Sequence, residues 1–287
     1  MKWMKGIGGG FLVVGYLLVW SAVPLRAAPE QAALKELIQQ AVSGDSDAQF
    51  SLGYLYYTGQ SVDRDLEEAY KWYAKAAAQG DKMAQYFLGD RYYYGRGVPV
   101  DFEEAFKWYA GSAEQGYDLA QSRLGDMYEI GRGVPQDLSA AFTWYSRAAA
   151  QEFAWAQFKL GLFYHTGRGV PVDHQKAFSW YIKAAEQGNI YAQCGLAGMY
   201  MDGTGVKQNR VYAYAWSSLA AEEGNMEAEK YKNLASYSLT PPQLTRGREL
   251  AAEFRYKIDH PGALPARLTS GPQTTITIEP LGSPDSL

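Results

Sequence analysis

A 36-residue pattern repeats without a gap through most of the chain, and this repeat constrains the fold more than any other feature. Successive units begin at Gly44, Gly80, Gly116, Glu152 and Gly188, and a partial sixth unit begins at Gly224. A fixed period of this length is typical of stacked repeat proteins, in which each unit buries its apolar face against its neighbours. We therefore expect one array of similar units.

Each unit is predicted to form two helices. Side chains kept at helical spacing are Ala84, Leu88, Gly89 and Tyr92 in the first half of the second unit, and Ala105, Trp108, Tyr109 and Ala113 in its second half. The segment GRGVPVD between the halves has glycines that permit a turn, and its Pro99 cannot donate a helical hydrogen bond. Each unit is therefore predicted to be a helical hairpin.

Local signals mark the ends of these helices. Asp101 followed by Glu104, and Asp65 followed by Glu68, have the spacing of a capping box. Gly80 and Gly116 stand just past the second helices, where a residue with positive φ is favoured.

The core is predicted from the residue sizes. Gly89 and the alanines are expected to let the helix backbones approach, while the large side chains fill the remaining space. On this basis Trp144, in the middle of the array, should be more deeply buried than Trp72 near its end.

At these residues the chain resembles the Sel1-like repeats, relatives of the tetratricopeptide repeats. The shared pattern is A-x3-LG-x2-Y-x2-G-x-GV-x2-D-x3-A-x2-WY-x2-AA, which is matched nearly in full from Ala84 to Ala113 and from Ala156 to Ala185. The first unit departs from it at Ser61 and Asp63 in its turn, and the fifth departs at Ala197 and Ser217. The resemblance implies an all-α fold, a right-handed α-solenoid of 36-residue hairpins that acts as a scaffold for protein contacts.

The regions outside the repeats complete the predicted organisation. Lys2 and Lys5 precede a stretch that is uncharged from Gly6 to Leu25, which is typical of a secretory signal peptide or an uncleaved N-terminal membrane anchor. The predicted parts are this segment (1–28), a capping helix (29–43), five repeats (44–223), a partial repeat with a capping helix (224–260) and a disordered tail (261–287). Whether the first segment is a signal peptide or an uncleaved anchor, the repeats are expected to be exported, most simply into a bacterial periplasm.

No pattern of catalytic or metal-binding residues was found. His165, His174 and His260 are not at metal-ligand spacing with one another or with the single cysteine, Cys194. The glycines in the GRG segments belong to the repeat turns rather than to a phosphate-binding loop. We therefore expect no enzyme activity, no metal and no cofactor.

A helical wheel suggests where a partner would bind. If the conserved alanine of the first helix is placed at 0°, residues two, six and nine positions later fall at about 180–240°, opposite the packed face. In an array lined by first helices these residues would face a concave groove: Phe50, Tyr54, Tyr57, Tyr86, Asp90, Tyr93, Ser122, Asp126, Glu129, Phe158, Leu162 and His165. The alternative is that a tightly wound array buries this face against itself.

The composition of this face indicates the kind of partner. Its aromatic side chains suit a binding surface, and the acidic centre, formed by Asp90, Asp126 and Glu129, favours an extended segment with a basic middle. The leading hypothesis is a monomeric scaffold that binds a protein or peptide. The second is a binder of envelope polysaccharide or peptidoglycan. Acidic residues slightly outnumber basic ones, 31 to 27, so nothing favours nucleic acid.

Overall fold

The computed structural model describes residues 27–261, which form thirteen α-helices and no strand. They are α1 (Ala27–Ser43), α2 (Ser46–Thr58), α3 (Leu66–Ala78), α4 (Lys82–Tyr94), α5 (Phe102–Glu114), α6 (Asp118–Ile130), α7 (Leu138–Ala150), α8 (Ala154–Thr166), α9 (His174–Glu186), α10 (Ile190–Asp202), α11 (Arg210–Glu222), α12 (Met226–Ser238) and α13 (Pro241–Asp259). The predicted all-α repeat fold is confirmed. The predicted signal peptide or anchor and the predicted tail lie almost entirely outside the described residues.

The even-numbered helices α2 to α12 are the first helices of the repeats and are called A helices here. The odd-numbered helices α3 to α11 are their partners and are called B helices. Two compact units can be distinguished: one contains residues up to Leu88 with Arg96–Val98, and the other contains Gly89–Gly95 and the residues from Pro99 onward. In the first unit α2 packs against α1 and α3. In the second, consecutive helices pack together from α5 to α12, and α13 packs against α11. No helix within residues 27–261 has the length and apolar character needed to cross a bilayer.

The helix ends follow the local signals, with one difference. The Asp65 and Asp101 side chains accept hydrogen bonds from the backbone N–H groups of Glu68 and Glu104, at 3.0 and 2.9 Å. The glutamate side chains do not complete the boxes, because each forms an ion pair with a lysine three residues later. The glycines just past the B helices have positive φ, as predicted.

Close helix contacts pair a glycine of an A helix with a tyrosine of its B helix. A Cβ atom added to Gly125 would lie 2.5 Å from Tyr145 Cε1, and one added to Gly89 would lie 2.5 Å from Tyr109 Cδ1. These tyrosines are fully buried, as are the conserved alanines beside them. The predicted role of the small residues is therefore correct, and the tyrosine is the side chain that fills the space they leave.

The expectation for the conserved tryptophans was wrong. Trp72 is buried, with 8% of its surface exposed, whereas Trp108, Trp144 and Trp180 are only half-buried. A cation lies over the Trp144 ring, with Arg147 Cζ 4.5 Å from its centroid, which is a favourable arrangement at a partly exposed site. The tryptophan covers the edge of the core, and the tyrosine that follows it in sequence occupies the centre.

Glutamine side chains join successive helices, a feature not predicted from the sequence, and two of them, Gln121 and Gln157, are buried. Gln151 Nε2 donates to Gln121 Oε1 at 2.9 Å, and Gln121 Nε2 donates to the carbonyl of Ala113 at 3.2 Å. Gln187 and Gln157 repeat the first of these bonds one unit later. These bonds satisfy polar groups that would otherwise be costly to bury.

Candidate functional site

The predicted groove residues are mostly covered by the protein itself, and none is fully exposed. Five of them are buried: Phe50, Tyr86, Asp90, Ser122 and Glu129. Those that are half-buried are Tyr54, Tyr57, Tyr93, Asp126, Phe158, Leu162 and His165. These aromatic and acidic side chains are therefore not freely exposed to a partner.

Side chains of the next A helix cover this face. They stand three positions after its conserved alanine, as Phe87 does after Ala84 and Lys159 after Ala156. In the first unit the Phe87 ring lies 5.8 Å from Phe50 and 5.6 Å from Tyr57, measured between centroids. In the second unit Lys159 Nζ lies 2.8 Å from Glu129 Oε2. At Phe50, Tyr57 and Glu129 the predicted groove is thus a contact between successive A helices.

An arginine from the turn of the next repeat also covers this face. Arg96 donates to the Tyr57 hydroxyl and Arg132 to the Tyr93 hydroxyl, each at 2.8 Å. Arg168 donates to Glu129 Oε1 at 2.6 Å. Donor and acceptor are 39 residues apart in all three cases. We call this repeated contact the arginine latch.

The acidic residues in the middle of the array form a buried network. The Tyr145 hydroxyl lies 2.6 Å from Glu129 Oε2 and 2.7 Å from Asp126 Oδ1. A hydroxyl donates one proton, so both contacts are hydrogen bonds only when one carboxyl group is protonated. Burial raises the pKa of Asp126, against the opposing effect of Lys159. Burial also acts to raise the pKa of Glu129, but hydrogen bonds from Lys159 and Tyr145 outweigh it and lower that pKa.

This network corrects the inference that the acidic centre favours a basic segment. Glu129 is already paired with Lys159 and Arg168, and Asp126 lies 3.8 Å from the Arg123 guanidinium. A basic ligand would have to displace these cations, and most of the charge is already compensated within the chain.

The exposed face of the A helices differs from the predicted face. On the helical wheel with the conserved alanine at 0°, the predicted face lies at about 180–240°, whereas the exposed face centres at about 260°, the position of the residue before that alanine. There Trp155, Phe158 and Tyr191 form a cluster that we call the aromatic patch. The Trp155 ring lies 5.3 Å from Phe158 and 5.7 Å from Tyr191. Tyr191 is 50% exposed, and Lys159 Nζ lies 5.3 Å from the Trp155 centroid. Only Phe158 was predicted. The other two could have been found from their shared repeat position.

Two features of the described residues bear on metal and thiol chemistry. Between Ala27 and Pro261 no group of three or more His, Cys, Asp or Glu residues could hold a metal ion. Cys194 is half-buried, and burial raises the pKa of its thiol to about 11, which disfavours the reactive thiolate.

Comparison with known proteins places this geometry in a family. A family model described as Sel1 repeat matches residues 46–81, 82–117, 118–153, 156–189 and 190–225, more than half of the chain. The structure of a protective antigen present in uropathogenic Escherichia coli strains, which displays an SLR fold, is similar with a TM-score of 0.69 and 36% identity, over 78% of this chain and 50% of that one. A Sel1 repeat protein from Oxalobacter formigenes is similar with a TM-score of 0.65 and 34% identity, over 76% of this chain and 87% of that one.

A shorter similarity is found in yeast. The chitin synthase regulator SKT5 of Saccharomyces cerevisiae is 42% identical over 65 residues, which are 23% of this chain and 9% of the regulator. This chain thus spans half of the E. coli antigen and less than a tenth of the yeast protein. The repeat pattern, the helical fold and the family match agree, and the chain belongs to the Sel1 repeat family.

Proposed function

We propose that this protein is an exported, non-catalytic scaffold that binds a protein or peptide through the aromatic patch. Sel1 repeat proteins commonly mediate protein–protein interactions and are generally non-catalytic scaffolds. The observation that carries the proposal is the half-exposed Tyr191, packed beside Trp155 and Phe158 on the open face of α8 and α10.

The chemistry of the patch suits protein recognition. Aromatic side chains provide a large contact area with few rotatable bonds, and tyrosine and tryptophan are enriched among the residues that dominate binding energy. The rings are held in place before binding, because Phe158 stacks on the buried Tyr181 with 6.0 Å between centroids. Little side-chain freedom would then be lost when a partner binds.

Site-specific crosslinking can test this proposal. A photoreactive phenylalanine analogue replaces Tyr191 in the full chain, expressed in the cells that produce it. The matched control places the same analogue at Val172, which is 54% exposed, is not a member of the patch and lies in the turn between α8 and α9. We expect a discrete protein adduct at position 191 only, lost when Trp155→Ala is added. Equal labelling at both positions, or none at 191, would contradict the proposal.

A second function uses the same patch. Tyrosine and tryptophan rings can also stack on sugar rings, so an envelope polysaccharide or peptidoglycan is the alternative ligand. The crosslinking experiment separates the two. After protease digestion a protein adduct leaves partner peptides crosslinked to position 191, whereas a glycan adduct leaves a sugar there that glycan-degrading enzymes shorten.

Export is the remaining part of the proposal. It is supported by Lys2 and Lys5 ahead of the uncharged stretch from Gly6 to Leu25. A reporter that is active only after export, fused after Asp259, should be active, and deletion of residues 2–25 should silence it. Activity from a reporter that works only in the cytoplasm would contradict export and make cytosolic partners relevant.

A further inference from the structure

The arginine latch places a cation at an equivalent point in successive repeats. In the second repeat this point is lined by two rings, Tyr93 from α4 and Phe102 from the start of α5, whose centroids are 5.3 Å apart. The guanidinium carbon of Arg132 lies 5.6 Å from the Tyr93 centroid and 5.0 Å from that of Phe102. We call this point the cation slot. In the third repeat Arg168 occupies it beside Glu129.

The fourth repeat has a different pair of rings at this point. His165 takes the position of Tyr93 and Glu129, and His174 that of Phe102, at the first residue of the B helix. The two imidazole centroids are 5.2 Å apart and the rings are inclined at 60°. The residue that should provide the latch is Thr204, 36 positions after Arg168. Its side chain carries no charge, so the fourth slot receives no cation from the chain's own turn.

The turn that carries Thr204 nevertheless lies where the arginine-bearing turns lie. A Cβ atom added to Gly169, the residue after Arg168, would be 2.9 Å from Leu138 Cβ. A Cβ atom added to Gly205, the residue after Thr204, would be 2.9 Å from His174 Cβ. The register is the same, and the slot at His165 and His174 differs in its side chains and not in its backbone.

The nitrogen atoms of the two rings are not fully satisfied. Nδ1 of His165 and Nδ1 of His174 are both buried, and neither has a hydrogen-bond partner within residues 27–261. A buried polar atom without a partner is unfavourable and uncommon in native structures. A metal ion is one group that can bind a nitrogen from each imidazole at once.

We propose that His165 and His174 bind one divalent transition-metal ion of the zinc class at the position that an arginine occupies in the preceding repeats. Neutral imidazole is a common ligand for zinc, copper and nickel and a poor one for magnesium. Both residues are only half-buried, so part of each imidazole ring faces solvent. No third His, Cys, Asp or Glu completes a metal-binding group with them among residues 27–261. Water or a partner's side chain would therefore fill the other positions, and binding is weaker than at a closed four-ligand site.

Calorimetric titration of the untagged, chelator-treated full chain with Zn²⁺ tests the proposal. We expect one ion per chain and no binding of Mg²⁺. His165→Ala and His174→Ala should each weaken Zn²⁺ binding about tenfold or more, the scale at which even supporting residues of metal sites act. His260→Ala is the matched control, because it removes the third histidine, at the far end of α13, and should leave binding unchanged.

Thr204→Arg tests the slot without altering either histidine. It restores the latch residue, and its guanidinium should occupy the slot and weaken Zn²⁺ binding by a similar factor. Thermal melting monitored by circular dichroism shows whether each variant is folded. A variant with wild-type melting that still loses the ion supports the proposal.

Three results would overturn it: no saturable Zn²⁺ binding, binding that depends on His260, or binding that Thr204→Arg leaves unchanged. If a histidine variant fails to fold, the Thr204→Arg titration still decides, since both imidazoles are retained in that variant.

Discussion

Gly161→Ala tests the glycine–tyrosine contact that sets the spacing of each hairpin. A Cβ atom at this position of α8 would lie 2.6 Å from Tyr181 Cε1, closer still to Cδ1, and 3.1 Å from Cγ. Carbon atoms in contact prefer about 3.5–4.0 Å, so the ring or the helix must move by about 1 Å. The ring cannot easily retreat, because Gly195 of α10 lies on its other edge, where an added Cβ would be 3.0 Å from Cε2.

The magnitude follows from two opposing effects. In an unobstructed helix, replacing glycine by alanine stabilises by about 0.5–1 kcal/mol, because glycine loses more backbone freedom on folding. Forcing an extra carbon into a packed core costs about 1–3 kcal/mol. The Tyr181 ring is confined on two sides, so the cost of the clash should lie near the upper end of this range of about 1–3 kcal/mol. After the gain from replacing glycine is subtracted, we expect a net destabilisation of about 2 kcal/mol. A destabilised Gly161→Ala variant therefore indicates that the clash dominates, and a stabilised one indicates that it does not.

The fifth repeat provides a natural reference for the experiment. There the tyrosine is replaced by Ser217 and the glycine by Ala197, each 36 residues after its counterpart. Ser217 is fully buried and its hydroxyl donates to the Ala213 carbonyl at 2.7 Å. The fifth repeat therefore has no tyrosine ring at this contact, and its A helix accommodates the methyl group of Ala197. In a Tyr181→Ser background Gly161→Ala should therefore stabilise by about 0.5–1 kcal/mol, giving a coupling energy of about 2–3 kcal/mol.

Urea denaturation followed by far-ultraviolet circular dichroism measures the four members of this cycle. Because repeat arrays can unfold in parts, midpoints are compared only among variants with the same slope. Ala197→Gly is the control and should destabilise by about 1 kcal/mol. The reasoning is refuted if Gly161→Ala stabilises the wild-type protein, or if its effect is the same in both backgrounds.

Three further predictions follow from the packing. Glu129→Gln should destabilise by about 3 kcal/mol at neutral pH, because it removes the charge that pairs with Lys159 and Arg168 and leaves Lys159 only its 3.9 Å contact with Asp126. Since the pKa of Glu129 is lowered in the folded state, this difference should shrink in denaturation experiments as the pH falls below 4.5, and a constant difference would contradict the network. Glu152→Gly should stabilise by about 1 kcal/mol, because Glu152 has φ of 64° where the other repeats have glycine, and an unchanged urea midpoint would count against strain there. Trp72→Ala should cost about 3 kcal/mol and Trp144→Ala less, reversing the expectation from position in the array; equal midpoint shifts would show that burial does not set the difference.

The aromatic patch and the histidine pair show how much of a candidate site can be read from sequence. The wheel identified Phe158 and His165 as members of one face, because helical periodicity is a local property of the chain. It could not show that His174 lies beside His165, or that Tyr191 completes the patch, because those contacts join different helices. The arginine latch could have been suspected from its repetition, but its acceptors vary between tyrosine and glutamate, so no motif marks the contact.

The sequence by itself determined the number and kind of helices, their capping aspartates and the glycines in their turns. These features depend on interactions within a few residues, such as the side chain of Asp101 accepting from the backbone of Glu104. The tertiary structure decided which faces remain exposed. Lys159 and Arg168 reach Glu129 from the following repeat and neutralise it, and Tyr145 takes the core position expected for Trp144. A helical wheel drawn for one helix contains no neighbour, and in a stacked array it is the neighbour that determines which side chains meet water.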